Sequence, residues 1–374
     1  MNVARDMMWI TLPFAVGVLL TVYAGASFHT GHAQFTLLLL SATALAETAI
    51  ITRRKLKLEA SSIQAVIIIC AGLCGALSGM TGVMLETSWP ASGIRASALS
   101  FCGIMQNAID SIPFESEQTG ALIKALLTGE RSSLPREVTE AFRESGASHI
   151  LALSGLHMGV IYGVLSGIMS ILGNSPQARR LRSVLMISAC GFYTMAVGAG
   201  PSIVRAFIFI ALRETARATG RHYELGHILL ASMLIQLTVL PLSVRSTGFQ
   251  LSYAAMAGIA FIYPWLKGLW PTDDASSPAG RILGKCMKWM WNSLALSTAC
   301  QITTGPLAYI HFGTFPVYFL LTNLLALPLT GILIPSALAT LCLSSVGWCP
   351  PPLVTVTEAL ARLMLWSLHT IASM

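Results

Sequence analysis

The sequence predicts an all-α, polytopic integral membrane protein, with roughly ten or eleven transmembrane helices and an outer amphipathic helical segment. Three observations carry this. Of the 374 residues, 54% are hydrophobic and 10% charged, with a mean hydropathy of +0.70. A soluble chain carries about 25% charged residues and needs them to cover its surface. The apolar residues also fall into runs long enough to cross about 30 Å of hydrocarbon. Finally, the basic residues cluster in alternate connections between those runs.

The predicted spans are 9–27, 34–52, 63–85, 147–172, 183–198, 201–213, 226–244, 248–266, 292–311, 316–345 and 353–373. The first reads as an uncleaved span, being longer than a signal-peptide core and closely followed by another. The short run 201–213 is expected to extend or tilt. The run 316–345 contains Pro328 and Pro335 and reads as one kinked helix or two broken ones. The resulting segments are 1–85, the N-terminal transmembrane helices; 86–146, an extracytoplasmic amphipathic segment; 147–346, the main transmembrane block; and 347–374, a last transmembrane helix.

Charge fixes the orientation. Arg53, Arg54, Lys55 and Lys57 follow the second run, and Arg179, Arg180 and Arg182 the fourth. Arg213, Arg217 and Arg221 follow the sixth, and Lys267, Arg281, Lys285 and Lys288 the eighth. All fall on one side if every run crosses, which places the N-terminus in the cytoplasm and 86–146 outside. That outer segment holds five Lys/Arg and eight Asp/Glu. Its helix 117–128 ends at Gly129. A second helix runs from Pro135 to Gly146, with Val138 and Phe142 on one face and charges on the rest, so it reads as an interfacial helix or a solvated charged face. Residues 272–277 form a cytoplasmic linker. The net charge of +7 is explained by such loops before any nucleic-acid patch is invoked.

Catalytic chemistry is sparsely provided. No phosphate-binding Gly-x-x-x-x-Gly-Lys-Ser/Thr loop and no His-Glu-x-x-His occurs. The aspartates are only Asp6, Asp110, Asp273 and Asp274, too few and too scattered for a two-metal nuclease. His29 and His32 read as loop histidines, and the eight cysteines as small buried hydrophobes. No catalytic residue, metal ligand or cofactor is expected. Ser154 and His157, three apart at the entrance of a span, share a helix face if helical and suggest either pore lining or, less readily, an intramembrane serine hydrolase. Glu47 and Arg205 are ionisable residues within spans. Arg205 suits an anion such as phosphate, or snorkels to the interface. Glu358 and Arg362, four apart, read as an ion pair on one helix. Ser154, His157, Arg205, Gln250 and Asn323 thus place polar groups on several helices, as candidates for lining a channel or contacting DNA.

Several short stretches in order resemble the ComEC competence family. They are Lys124–Ser132, Phe142–Gly146, His149–His157 with its Ser154-Gly155-Leu156-His157 run, Pro201–Ala206 with Arg205, Gly248–Ser252, and Thr322–Leu325 with Pro328. The resemblance covers about residues 95–345. It implies that 147–346 is a competence-type channel domain of a bacterial inner-membrane protein, passing single-stranded DNA into the cytoplasm during natural transformation. It implies an outer DNA receptor, a cytoplasmic motor protein and a separate nuclease as partners, with the lipid bilayer around the channel. Relatives of this type also carry an outer OB-like domain and a metallo-β-lactamase-like domain; neither is expected here, so strand degradation is not. A polytopic transporter of a small anionic solute remains the alternative, with the Ser154/His157 hydrolase behind it.

Overall fold

The computed structural model describes residues 3–24, 60–85, 93–173, 175–220, 224–270, 278–313, 315 and 317–374. The expected span 34–52, His29, His32, Glu47, the basic residues 53–57 and the linker 272–277 lie outside the described residues. The described residues are helical and contain no strand. In chain order the helices are α1 (Val3–Ala24), α2 (Ala60–Leu85), α3 (Gly93–Asp110), α4 (Glu117–Thr128), α5 (Arg136–Glu144), α6 (Ser148–Leu151), α7 (Gly155–Met169), α8 (Pro176–Ala196) and α9 (Pro201–Thr219). They continue as α10 (Leu225–Val239), α11 (Thr247–Ala257), α12 (Tyr263–Gly268), α13 (Pro278–Phe312), α14 (Phe319–Ser345) and α15 (Pro351–Ala372).

Most predicted spans fall on these helices, with instructive differences. The run 147–172 is not continuous: Ala152–Ser154 interrupt it, and α7 begins afresh at Gly155. The run 248–266 is interrupted by a π-helical turn, Gly258–Ile262. There, a Cβ on Gly258 would lie 2.3 Å from the Ala299 carbonyl oxygen, so α13 approaches the backbone itself. Helix α13 starts well before the predicted boundary, and helix α14 is one helix containing both Pro328 and Pro335. Among the described residues, Gly155–Leu172 and Phe319–Ser345 are long and apolar enough to cross a membrane. Met7–Tyr23, Ile67–Val83 and Leu225–Val239 are shorter apolar stretches. Several others carry charges within their length, as in Arg205, Arg213, Glu214 and Arg217 on α9. The cysteines divide: Cys102 and Cys190 are buried as expected, whereas Cys74, Cys286 and Cys342 are exposed.

The chain forms two compact units, Met1–Pro90 with Ile208–Tyr253, and Ala91–Phe207 with Ala254–Met374. The sequence segments follow where spans lie, the units follow which helices touch; residues 208–253 therefore leave the 147–346 stretch and pack with 1–90. In the first unit, α1 and α2 meet through glycines. A Cβ on Gly17 would lie 2.0 Å from the Gly72 carbonyl oxygen, and one on Gly75 1.9 Å from that of Phe14. Backbones this close are the packing mode of helices that gain little from hydrophobic transfer. The Ser78 hydroxyl donates to the Leu237 carbonyl (3.1 Å), tying in α10. Arg245 donates to the Val22 carbonyl, and its guanidinium lies 5.5 Å from the Tyr23 ring centroid.

The second unit is built around α4, α14 and α15. Leu122, Ala125 and Leu126 of α4 pack with Ala147, Ile150, Leu151, Ala326, Leu333, Met364 and Leu368 in one core. Ile123 and Leu127, about 100° further round the helix, pack with Met105, Ile109, Ile112, Ile334, Ala337, Leu341 and Val354. Helix α4 is thus buried on nearly all sides, not laid on a surface as its charged surroundings suggest. Only α5 has the one-sided pattern expected, burying Val138, Ala141 and Phe142. Between α14 and α15 runs a hydroxyl seam: Thr357 Oγ1 lies 2.8 Å from Ser336 Oγ and 3.0 Å from Thr340 Oγ1.

Gly75→Ala should lower the melting temperature of the purified protein, since overpacking of this kind costs about 1–3 kcal/mol. Gly159→Ala, where a Cβ meets nothing within 4 Å, should instead be neutral or raise it, by up to ~1 kcal/mol of helix propensity.

Candidate functional site

Several of the ordered motifs meet at the break between α6 and α7. Residues Ala152–Ser154 leave the helix, and Ser154 has an extended backbone (φ −129°, ψ −179°). Helix α7 then starts with open N–H groups. Ser154 Oγ accepts from Leu156 N (3.3 Å), while His157 Nδ1 accepts from Ser154 N (3.3 Å). This is a reciprocal capping box with histidine where glutamate or glutamine is usual. Ser154 and His157 therefore meet, with Oγ and Nδ1 3.3 Å apart, but not as two side chains on one helix face. Nδ1 is engaged by a backbone amide, and Oγ by another. That arrangement closes a helix end, with Oγ and Nδ1 themselves within hydrogen-bond distance.

Three neighbours wrap this turn. Gly129 ends α4 in the left-handed region (φ +79°), and a Cβ there would lie 2.6 Å from Leu153 Cδ1. The Leu127 carbonyl, near that end, accepts from Tyr193 Oη (2.8 Å). After Gly129 the chain is folded by Glu130, whose carboxylate accepts from the Ser132 amide (2.6 Å) and hydroxyl and from the Ser133 hydroxyl (2.9 Å). The bond from the Ser132 hydroxyl leads in holding Glu130 below the usual carboxylate range. Arg205 comes from the first turns of α9, which the chain enters through Gly198 (φ +88°) and Ala199 (φ +51°). Its side chain lies against the start of α7: a Cβ on Gly155 would be 3.0 Å from Arg205 Nη2. Arg205 is 9% exposed and His157 is fully buried.

Ser154, His157 and Arg205 are thus brought together, and Gly129 and Gly155 explain themselves as the positions where Leu153 and Arg205 need room. Asn323 stands near the start of α14, beside Thr322, whose hydroxyl donates to the Ser145 carbonyl (2.6 Å). Its Oδ1 is buried without a hydrogen-bond partner among the described residues, as is Nε2 of His157. Gln250 belongs to the first unit. Its amide donates to the Val244 carbonyl (2.9 Å) and approaches Tyr23 Oη (3.5 Å), bracing the turn before α11. Sequence reasoning missed Gln301, whose Nε2 is also buried without a partner among the described residues. An amide in the middle of a long apolar helix was the available signal. It missed as well the reach of Glu358, which accepts from backbone amides of the turn before α4. Among the described residues no group of three or more His, Cys, Asp or Glu is placed to hold a metal ion.

A family profile described as "Competence protein" matches residues 126–374, which include this whole junction. The chain belongs to that family. The similar proteins include ComE operon protein 3 of Bacillus subtilis, 26% identical over 62% of this chain and 27% of its own length. Competence protein ComA of Neisseria gonorrhoeae is 26% identical over 58% of this chain and 30% of its length. The YcaI protein of Escherichia coli is 24% identical over 70% and 33%. The chain thus spans a third or less of each of these relatives. No solved structure matches it.

Two outcomes follow from this geometry. Ser154→Ala and His157→Leu should each lower the melting temperature, by about 1 kcal/mol for a lost cap, whereas His157→Gln keeps the acceptor and should stay near wild type. The Glu130 fold has a definite pH signature. A carboxyl held below its unfolded pKa stabilises fully above that unfolded value and loses the contribution as pH falls through the folded one. Hydrogen-exchange protection of the Ser132 amide should therefore persist to the bottom of the ordinary glutamate range and vanish below it; Glu130→Gln should flatten the profile.

Proposed function

We propose that this chain is the multi-pass, membrane-embedded route by which one strand of DNA enters a bacterial cytoplasm during natural transformation, with the N-terminus inside and no chemical step of its own. The observation that carries this reading is the family match across the junction where buried Arg205 lies against the first turn of α7. A phosphate chain cannot cross hydrocarbon without a wetted path offering donors or cations. Arg205 supplies a cation, and the start of α7 adds the positive end of a helix dipole. His157, Gln301 and Asn323 add neutral polar atoms that keep such a path wet without gripping the strand.

The membrane placement is supported by the surface. Phe261, Trp265, Ile310, Val317, Trp348 and Trp366 are all exposed and large, and lipid is the environment in which such a surface is stable. Basic residues gather at the start of α8 and late in α9, at chain positions that the positive-inside rule assigns to the cytoplasm. An outer receptor to deliver DNA, a cytoplasmic motor to draw it and a separate nuclease for the other strand complete the scheme.

Uptake of labelled double-stranded DNA into a DNase-resistant cytoplasmic state tests it. Deleting the chain should abolish entry while DNA still binds outside, and the gene in trans should restore it. Arg205→Leu should reduce entry ~10–100-fold, the worth of one charge-assisted contact, with Arg205→Lys in between. Unchanged entry in the deletion strain would refute the DNA route and leave the small-anion transporter.

A further inference from the structure

The turn between α3 and α4 is held in an unusual way. The Glu115 and Ser116 amides donate to the two oxygens of the Glu358 carboxylate, at 3.1 and 2.9 Å. Arg362 Nη2 lies 2.8 Å from both Glu358 Oε1 and Glu115 Oε2. Glu358 is 5% exposed and sits in the third turn of α15, more than two hundred residues along the chain. A buried carboxylate is expensive unless fully hydrogen-bonded, and here its partners are the open amides at a helix start.

The position of that turn follows from what surrounds it. Helices α3 and α4 run antiparallel: Asp110 pairs with Lys124 (2.6 Å), and Gln106 Nε2 donates to Thr128 Oγ1 (3.3 Å). Near the turn, Ile109 and Ile112 pack with Leu341 and Val354, where α14 ends and α15 begins. The far end of α14 is marked by Thr322 on the Ser145 carbonyl. From residue 322 to 341 a helix rises about 28 Å, close to the thickness of a hydrocarbon core. Helix α3 is 18 residues long, about 27 Å. Its outward residues Ile94, Leu99, Phe101 and Ile104 are apolar and exposed, as on a helix facing lipid. Helix α4 is too short to span on its own and is buried among α3, α14 and α15. In the alternation of spans α7 and α14 both run from the outer side inward, and Val160 of α7 packs against the cluster that holds Ile334 and Ala337 of α14. The α3–α4 turn is therefore at the same end as Arg179, Arg180 and Arg182, which follow α7.

We infer that residues 93–128 form a re-entrant hairpin that enters from the outer side, carries its turn 111–116 through to the cytoplasmic end, and is held there by Glu358 as the positioning residue. This rests on the membrane-spanning reading above. It ties the hairpin to the candidate site: its returning arm ends at Gly129, against Leu153 beside the Ser154 cap. Glu358 thus acts on that junction through α4.

The test is sidedness. Cysteines placed at Ser111, Ser133 and Gln177, all exposed positions, are reacted in the full chain with a charged, membrane-impermeant maleimide. Labelling is done on intact spheroplasts and on inside-out vesicles, and read peptide by peptide by mass spectrometry so that the native cysteines stay in place. The hairpin predicts that Ser133→Cys labels only from outside, and Ser111→Cys and Gln177→Cys only from inside. Labelling of position 111 from outside, or from neither side, overturns it. If 133 and 177 label from the same side, the membrane-crossing reading falls and the hairpin with it. Labelling of Ser116→Cys should rise ~10-fold with Glu358→Ala, the worth of about one lost hydrogen bond, and return toward wild type with Glu358→Gln. No rise with Glu358→Ala removes the positioning role. These readouts do not depend on DNA entry, so a failed uptake experiment leaves them standing.

Discussion

Away from water, every open backbone amide or carbonyl must find a partner within the protein. That requirement organises this chain more than any single contact. Its helices are broken at several points, and several of these breaks have a side chain assigned to them. Ser154 and His157 close the start of α7. The Glu358 carboxylate takes the two amides before α4. Arg245 takes the Val22 carbonyl near the end of α1, and Gln250 that of Val244. Tyr193 reaches the Leu127 carbonyl at the end of α4. Side chains that look scattered along an apolar sequence are concentrated where the hydrogen-bond ladder stops.

This explains which parts of the structure were legible in the sequence. Apolar runs report helices, because every residue of a run carries the signal; α1, α10, α14 and α15 lie close to where they were expected. Breaks within a run carry no such signal. Ala152, Leu153 and Ser154 are as compatible with a continuing helix as their neighbours, and only the capping geometry shows that the helix ends there. Glu358 and Arg362 were legible as a pair because four residues is a local spacing. Their shared partner Glu115 lies too far off in sequence for any periodicity to reveal it.

The 86–146 segment shows a second limit. Asp110, Glu115, Glu117 and Lys124 make it look solvated, and its parity in the alternation of loops places both its ends outside. A hairpin that goes in and returns leaves that parity unchanged. Loop charge therefore cannot distinguish a surface segment from a re-entrant one. What bears on the choice is the burial of α4 around most of its circumference, by Thr119, Ala121 and Ala125 as well as Leu122, Ile123, Leu126 and Leu127. Those residues were visible, but six apolar positions in twelve residues suit an interfacial helix equally well.

The motif residues separate into two kinds once their surroundings are known. Ser154, His157 Nδ1, Gly129, Gly155 and Gln250 are accounted for by folding: they cap, make room or brace. Their presence in a family needs no transported molecule. Arg205, Asn323 and Gln301 are different, because burial makes them costly. An ionised side chain at 9% exposure carries a desolvation penalty of several kcal/mol before its interactions offset it. The proposed transport role therefore rests on Arg205 and the two amides, while the Ser154–His157 run, although the most conspicuous feature of the sequence, closes the start of α7 beside that arginine.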